Sequence, residues 1–130
     1  MMIKKEEFIL HTNVKLVADG QTAVSHTKIP DQAKDFIVYY SVAKTGTPPA
    51  KSYTRIEIQH IDSDGNAYTL TDGLAEDLLE EVTFVPVARA VPGKAVGSEI
   101  RVKLTGAGTL STSNYFTVNA RIEFMTETRP

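Results

Sequence analysis

Apolar and polar residues alternate along most of this chain, and the period is two rather than 3.6. The last such stretch is the cleanest. In residues 115–125, Phe116, Val118, Ala120, Ile122 and Phe124 fall on one face, and Thr117, Asn119, Arg121 and Glu123 on the other. That is the signature of a half-buried β-strand. A slip of one residue would turn the whole apolar row to solvent, so its register is expected to be firm. Residues 98–105 alternate in the same way, with Ile100, Val102 and Leu104 set against Glu99, Arg101 and Lys103. Residues 53–61 form the first arm of a hairpin, with Ile56 and Ile58 inward and Arg55, Glu57 and Gln59 outward. Asp62-Ser63-Asp64-Gly65-Asn66 supplies turn chemistry that tolerates positive φ, and residues 67–71 return, with Tyr68 and Leu70 directed to the same core.

Upstream, residues 13–17 and 22–29 read as strands joined through Ala18-Asp19-Gly20, the second stopped by Pro30-Asp31. Residues 34–43 are apolar on both faces: Phe36, Val38, Tyr40 and Val42 on one, Ile37, Tyr39 and Ala43 on the other. Such a strand is central and covered twice, or it faces a partner. Residues 82–88 resume extended structure, with Pro86 indicating an edge or a bulge. Residues 72–81 resist the pattern, because Leu74, Leu78 and Leu79 sit at helical spacing among acids; a short helix and an extended loop both fit. The loops at residues 45–50 and 91–94 are stiffened by proline, and Gly106-Ala107-Gly108 reads as a turn.

About eight short strands without a βαβ rhythm predict an all-β fold. The expected form is a two-sheet antiparallel β-sandwich, jelly-roll-like, with at most one short helix. Residues 1–12 are expected as an N-terminal arm and residues 13–130 as one sandwich domain. The arm either folds back on its own domain or adds a strand to a neighbour's sheet edge.

Composition narrows the function classes. The 130 residues carry 14 basic and 16 acidic side chains, a formal net charge of -2, which is no footprint for nucleic acid. There is no cysteine, so thiolate nucleophiles, disulfides and zinc–thiolate sites are excluded. The N-terminus lacks the long apolar core of a signal peptide, and no apolar run approaches a membrane span, so assembly in the cytoplasm is expected.

Reactive constellations are few. His11, His26 and His60 fall on different strands without motif spacing. Asp62–Asn66 begins like a calcium loop, but the sixth position is Ala67 and the twelfth is Gly73, where a glycine and a bidentate acid are required. Glu76, Asp77, Glu80 and Glu81 are clustered locally beside leucines, which fits a solvated face better than paired catalytic carboxylates. No catalytic residue, metal ligand or cofactor is expected. The outward charges Arg101, Lys103 and Arg121, with Glu99, Glu123, Arg55 and Glu57, would make one mixed-charge face if their strands are neighbours. They and Met2, Ile3, Phe8 and Ile9 of the arm are the candidate partner-binding residues.

Ser98-Glu99-Ile100-Arg101-Val102-Lys103-Leu104-Thr105-Gly106, Phe116-Thr117-Val118-Asn119-Ala120-Arg121-Ile122, Ile56-Glu57-Ile58-Gln59-His60 and the turn Asp64-Gly65-Asn66 together carry a resemblance. Over about residues 34 to 125 the chain resembles small β-sandwich structural proteins of tailed bacteriophages. The resemblance implies a non-enzymatic virion protein, assembled in the host cytoplasm. In that reading it is a capsid decoration (cement) protein, whose partner is the major capsid protein or another virion protein. Self-association as a homo-oligomer is compatible with that reading; a neck or tail component and a carbohydrate-binding module built on the five tyrosines are the alternatives.

Overall fold

The computed structural model describes residues 2–30, 33–49, 51–71, 87–90 and 98–128. These form β1 (Met2–Leu16), β2 (Thr22–Lys28), β3 (Ala33–Thr45), β4 (Tyr53–Ile61), β5 (Ala67–Thr71), β6 (Val87–Ala90), β7 (Glu99–Ala107) and β8 (Tyr115–Thr128). They make two four-stranded sheets, ordered β1-β8-β3-β6 and β2-β7-β4-β5, with every pairing antiparallel. Successive strands cross repeatedly from one sheet to the other. This is the strand order of an eight-stranded jelly roll, and the all-β two-sheet sandwich is the fold class expected from sequence.

The period-two pattern explains the layers. Phe116, Val118, Ala120, Ile122 and Phe124 of β8 are buried, and β3 sets Val42, Tyr40, Val38 and Phe36 beside the last four of them. Ile56 and Ile58 of β4 with Ile100, Val102 and Leu104 of β7 supply the facing layer. Each buried Val, Leu, Ile and Phe among them stabilises the fold by about 1.5–3 kcal/mol. Phe124 is enclosed by Phe36 and Phe8, with ring centroids 6.1 Å and 6.0 Å away.

β1 begins far earlier than the sequence indicated. The stretch expected as an arm pairs with β8 from Met2 opposite Thr128 onwards. Its register breaks between Ile9 and His11 and again between His11 and Val14, where Asn13 has φ 47°. The extra residues reset the alternation, so that Leu10 and His11 are both buried.

Two other expectations are corrected. Gly106 and Ala107 belong to β7 rather than to a turn, because glycine allows close packing: a Cβ at Gly106 would meet the Leu16 Cβ at 3.0 Å. Tyr68 does not enter the core; it is 54% exposed and stacks on His60 at 6.4 Å, since β5 is an edge strand. The alternatives for residues 72–81, the strand reading of residues 82–86, and the loop at residues 91–94 lie outside the described residues.

The Asp62–Asn66 turn closes on itself. Asp62 Oδ1 accepts the backbone N–H groups of Asp64 and Asn66, each at 2.9 Å, and Gly65 takes φ 88°. These donors hold the Asp62 carboxyl below its ordinary range.

Candidate docking surfaces

The two outer faces of the sandwich carry different charge arrangements, and the topology decides which residues share them. Arg121 and Glu123 stand on β8, whose neighbours are β1 and β3. Arg101, Lys103 and Glu99 stand on β7, whose neighbours are β2 and β4. The single mixed-charge face expected from sequence is therefore two faces, on opposite sides of the molecule.

On the β1-β8-β3 face, Arg121 is held from two sides. Its Nη1 donates to Glu7 Oε2 at 2.7 Å, and its Cζ lies 4.2 Å from the centroid of the Tyr39 ring. Glu123 Oε2 is 3.7 Å from the same Nη1, and Glu123 Oε1 is 3.6 Å from Lys5 Nζ. Strand register produces this cluster: Ile9, Arg121 and Tyr39 stand in one cross-strand row, and Glu7, Glu123 and Ile37 in the next. The outer side of β3 is half-buried at Ile37, Tyr39 and Ser41, and exposed at Ala43.

On the β2-β7-β4 face the rows are Lys28, Glu99 and Ile61; then His26, Arg101 and Gln59; then Val24, Lys103 and Glu57. His26 Nδ1 lies 2.8 Å from Glu99 Oε2, and Arg101 Nε donates to Gln59 Oε1 at 2.7 Å. Among the described residues neither Arg101 nor Lys103 forms an ion pair. Val24, 50% exposed, adds an apolar spot beside Lys103.

Of the arm residues singled out from sequence, Ile9 is 71% exposed on the outer side of β1, and Phe8 is 37% exposed at the rim of the core. Met2 and Ile3 lie at the start of the same edge strand, opposite Thr128 and Glu127 of β8. Sequence reasoning missed the partnership of Tyr39 with Arg121 and of His26 with Glu99. Both depend on which strands are neighbours, and no local pattern carries that.

The three histidines are apart, on β1, β2 and β4. His11 is 5% exposed, and its Nε2–H donates across the sandwich to the Val102 carbonyl at 2.9 Å. Burial pushes its pKa below the ordinary value, and the backbone bond offsets this only in part. Among the described residues no group of three or more His, Cys, Asp or Glu is placed to hold a metal ion. The acidic cluster Glu76–Glu81 lies outside them. The tyrosines form no common platform: Tyr40 is in the core, Tyr39 lies beneath Arg121, and Lys15 Nζ lies 5.6 Å from the Tyr115 ring centroid.

The sequence matches no protein-family model and no curated protein. The fold is similar to that of infectious bursal disease virus VP2 in a subviral particle, with TM-score 0.60 and 9% identity over 96% of this chain and 33% of that one. A chain of the T=1 particles derived from infectious bursal virus gives TM-score 0.60 and 8% identity, over 96% of this chain and 32% of that one. The structure of the Gx strain gives TM-score 0.57 and 11% identity, over 97% and 32%. This chain thus spans about a third of the length of the solved chains it matches. At these identities the likeness is one of fold.

Proposed function

We propose that this chain is a non-enzymatic structural protein of a virion, and within that class a capsid decoration (cement) protein that binds the assembled head of a tailed phage. The observation that carries the reading is the eight-stranded jelly roll, which superposes on VP2 of a viral particle over nearly its whole length. Jelly rolls recur in capsid proteins because two packed sheets give a rigid body with broad faces for lateral contact. The resemblance to phage sandwich proteins narrows the class to a head-binding protein, with a neck or tail component as its nearest variant.

Docking is assigned to the β2-β7-β4 face. Arg101 and Lys103 stand there beside the exposed Val24, whereas Arg121 is engaged by Glu7 and Tyr39 of its own chain. Interface charges placed in this way set register and specificity. The scattered tyrosines weigh against the carbohydrate-binding alternative, which needs a coplanar aromatic surface.

The test mixes the purified full chain with undecorated phage shells and, separately, with free capsid subunits. Saturable co-sedimentation with shells, and weaker binding to free subunits, is expected, because repeated contacts on a lattice raise occupancy. Binding to neither, with specific retention on a glycan surface, would overturn the reading.

A further inference from the structure

β1 is an edge strand: among the described residues its only strand partner is β8. Its other side presents backbone N–H and C=O groups that a further strand can use. The two halves of that edge differ. Register with β8 is unbroken from Met2 to Ile9, whereas the bulges that follow, with Asn13 at φ 47°, distort the rest. Bulges blunt an edge against pairing. Only the regular half, which also carries the exposed Phe8 and Ile9, can accept a partner.

We infer that this half of β1 pairs antiparallel with β1 of a second copy, about a two-fold axis through residue 6. The β1-β8-β3-β6 sheets of the two copies then join into one continuous sheet. The occupant follows from charge. Lys5 and Glu7 stand two residues apart on the outward side of this half, so its antiparallel reverse sets acid against base there. An edge protected purely by repulsion would carry one sign.

The register follows from the faces. A two-fold axis normal to the sheet keeps each outer face on the same side, so outward residues must oppose outward residues. Lys5, Glu7 and Ile9 stand in the outward rows of β8, opposite Met125, Glu123 and Arg121. Centring the pair on residue 6 sets Lys5 against Glu7 of the second copy, twice, and Ile3 against Ile9. Centring it on residue 5 opposes two lysines at Lys5 and sets Ile3 against the Glu7 carboxylate instead of Ile9. Centring it on residue 7 opposes two glutamates at Glu7. A centre between residues 5 and 6 pairs every charge but turns outward residues against inward ones. With the axis at residue 6 the two Glu6 carboxylates meet, and Lys4 Nζ, 3.8 Å from Glu6 Oε1 in its own chain, offsets that repulsion.

The pairing concerns the free chain and stands or falls apart from the virion role. Sedimentation equilibrium of the full chain is expected to show a monomer–dimer equilibrium. Lys5→Glu and Glu7→Lys each place like charges opposite one another across the axis, and each should weaken the dimer about tenfold or more. An equimolar mixture of the two variants restores complementary pairs and should form heterodimers with affinity close to that of the parent chain. Local damage, such as loss of the Glu7–Arg121 bond, is not repaired by mixing, so recovery identifies the interface. Because the chain has no cysteine, Glu6→Cys tests the axis: it should cross-link readily, and Thr12→Cys, beyond the bulge, should not. A chain that stays monomeric at millimolar concentration overturns the proposal. So does a dimer whose charge-reversed variants are not rescued by mixing, or cross-linking equal at both positions.

Discussion

His11 and Val102 are 91 residues apart in sequence and belong to opposite sheets, yet the imidazole Nε2–H reaches the Val102 carbonyl at 2.9 Å. The bond ties β1 to the strand at the centre of the other layer. It requires a proton on Nε2, which the charged ring also carries, and burial favours the neutral form with that proton in place.

Stability should therefore fall on mild acidification. The folded-state pKa of His11 lies below its ordinary value of 6.5, so as pH drops the unfolded chain binds the proton first. The contribution is complete above about pH 6.5 and declines from there towards the lower folded value. Thermal melts at pH 7.5 and pH 5 should show a lower midpoint at pH 5. His11→Gln, which cannot titrate, should make the difference smaller. An unchanged difference would assign the pH dependence elsewhere.

Phe124→Ala should cost about 3–5 kcal/mol, because the ring is fully buried between Phe36 and Phe8. Denaturant unfolding measures it. A cost below about 1 kcal/mol would contradict the register of β8.

Gly46→Ala should destabilise by about 1–3 kcal/mol for two reasons. Gly46 takes φ 71°, and an added Cβ would collide with the Ser113 carbonyl oxygen. Gly20 has a similar φ of 79° but open space around it, so Gly20→Ala should cost less. Comparing the two separates backbone strain from the collision.

The central strands were legible because each writes its own face into the sequence. The inward rows of β7 and β8 are uninterrupted, and burial follows them residue by residue. The first half of β1 was not legible. Lys4 to Glu7 are charged, since a strand at the sheet edge needs few apolar residues, and the bulges at Ile9–Val14 break the alternation that would have exposed it. Grouping Arg121 with Arg101 and Lys103 failed for a different reason. β7 and β8 are consecutive and alternate alike, but the crossover between sheets leaves no local mark. The arrangement of the candidate site is a property of strand order, and strand order is set by long-range packing.

That division of the charges gives the last prediction. If the β2-β7-β4 face docks on a shell, Lys103→Glu should weaken binding about tenfold or more, while Arg121→Glu should leave it nearly unchanged. The two substitutions should have the opposite order in stability. Arg121 joins Glu7, Glu123 and Tyr39 of its own chain, and at 31% side-chain exposure this is worth about 1 kcal/mol at most in ion pairing, with a comparable gain from the ring. Lys103 stands in a row with Val24 and Glu57 and contributes little to folding. Shell co-sedimentation at several salt concentrations, run beside thermal melts, reads both quantities on the same samples. The salt series adds a check: binding through Arg101 and Lys103 should weaken as ionic strength rises, since rim charges are screened over about 10 Å at 0.1 M. Loss of shell binding in Arg121→Glu, with Lys103→Glu intact, would move the docking surface to the β1-β8-β3 face.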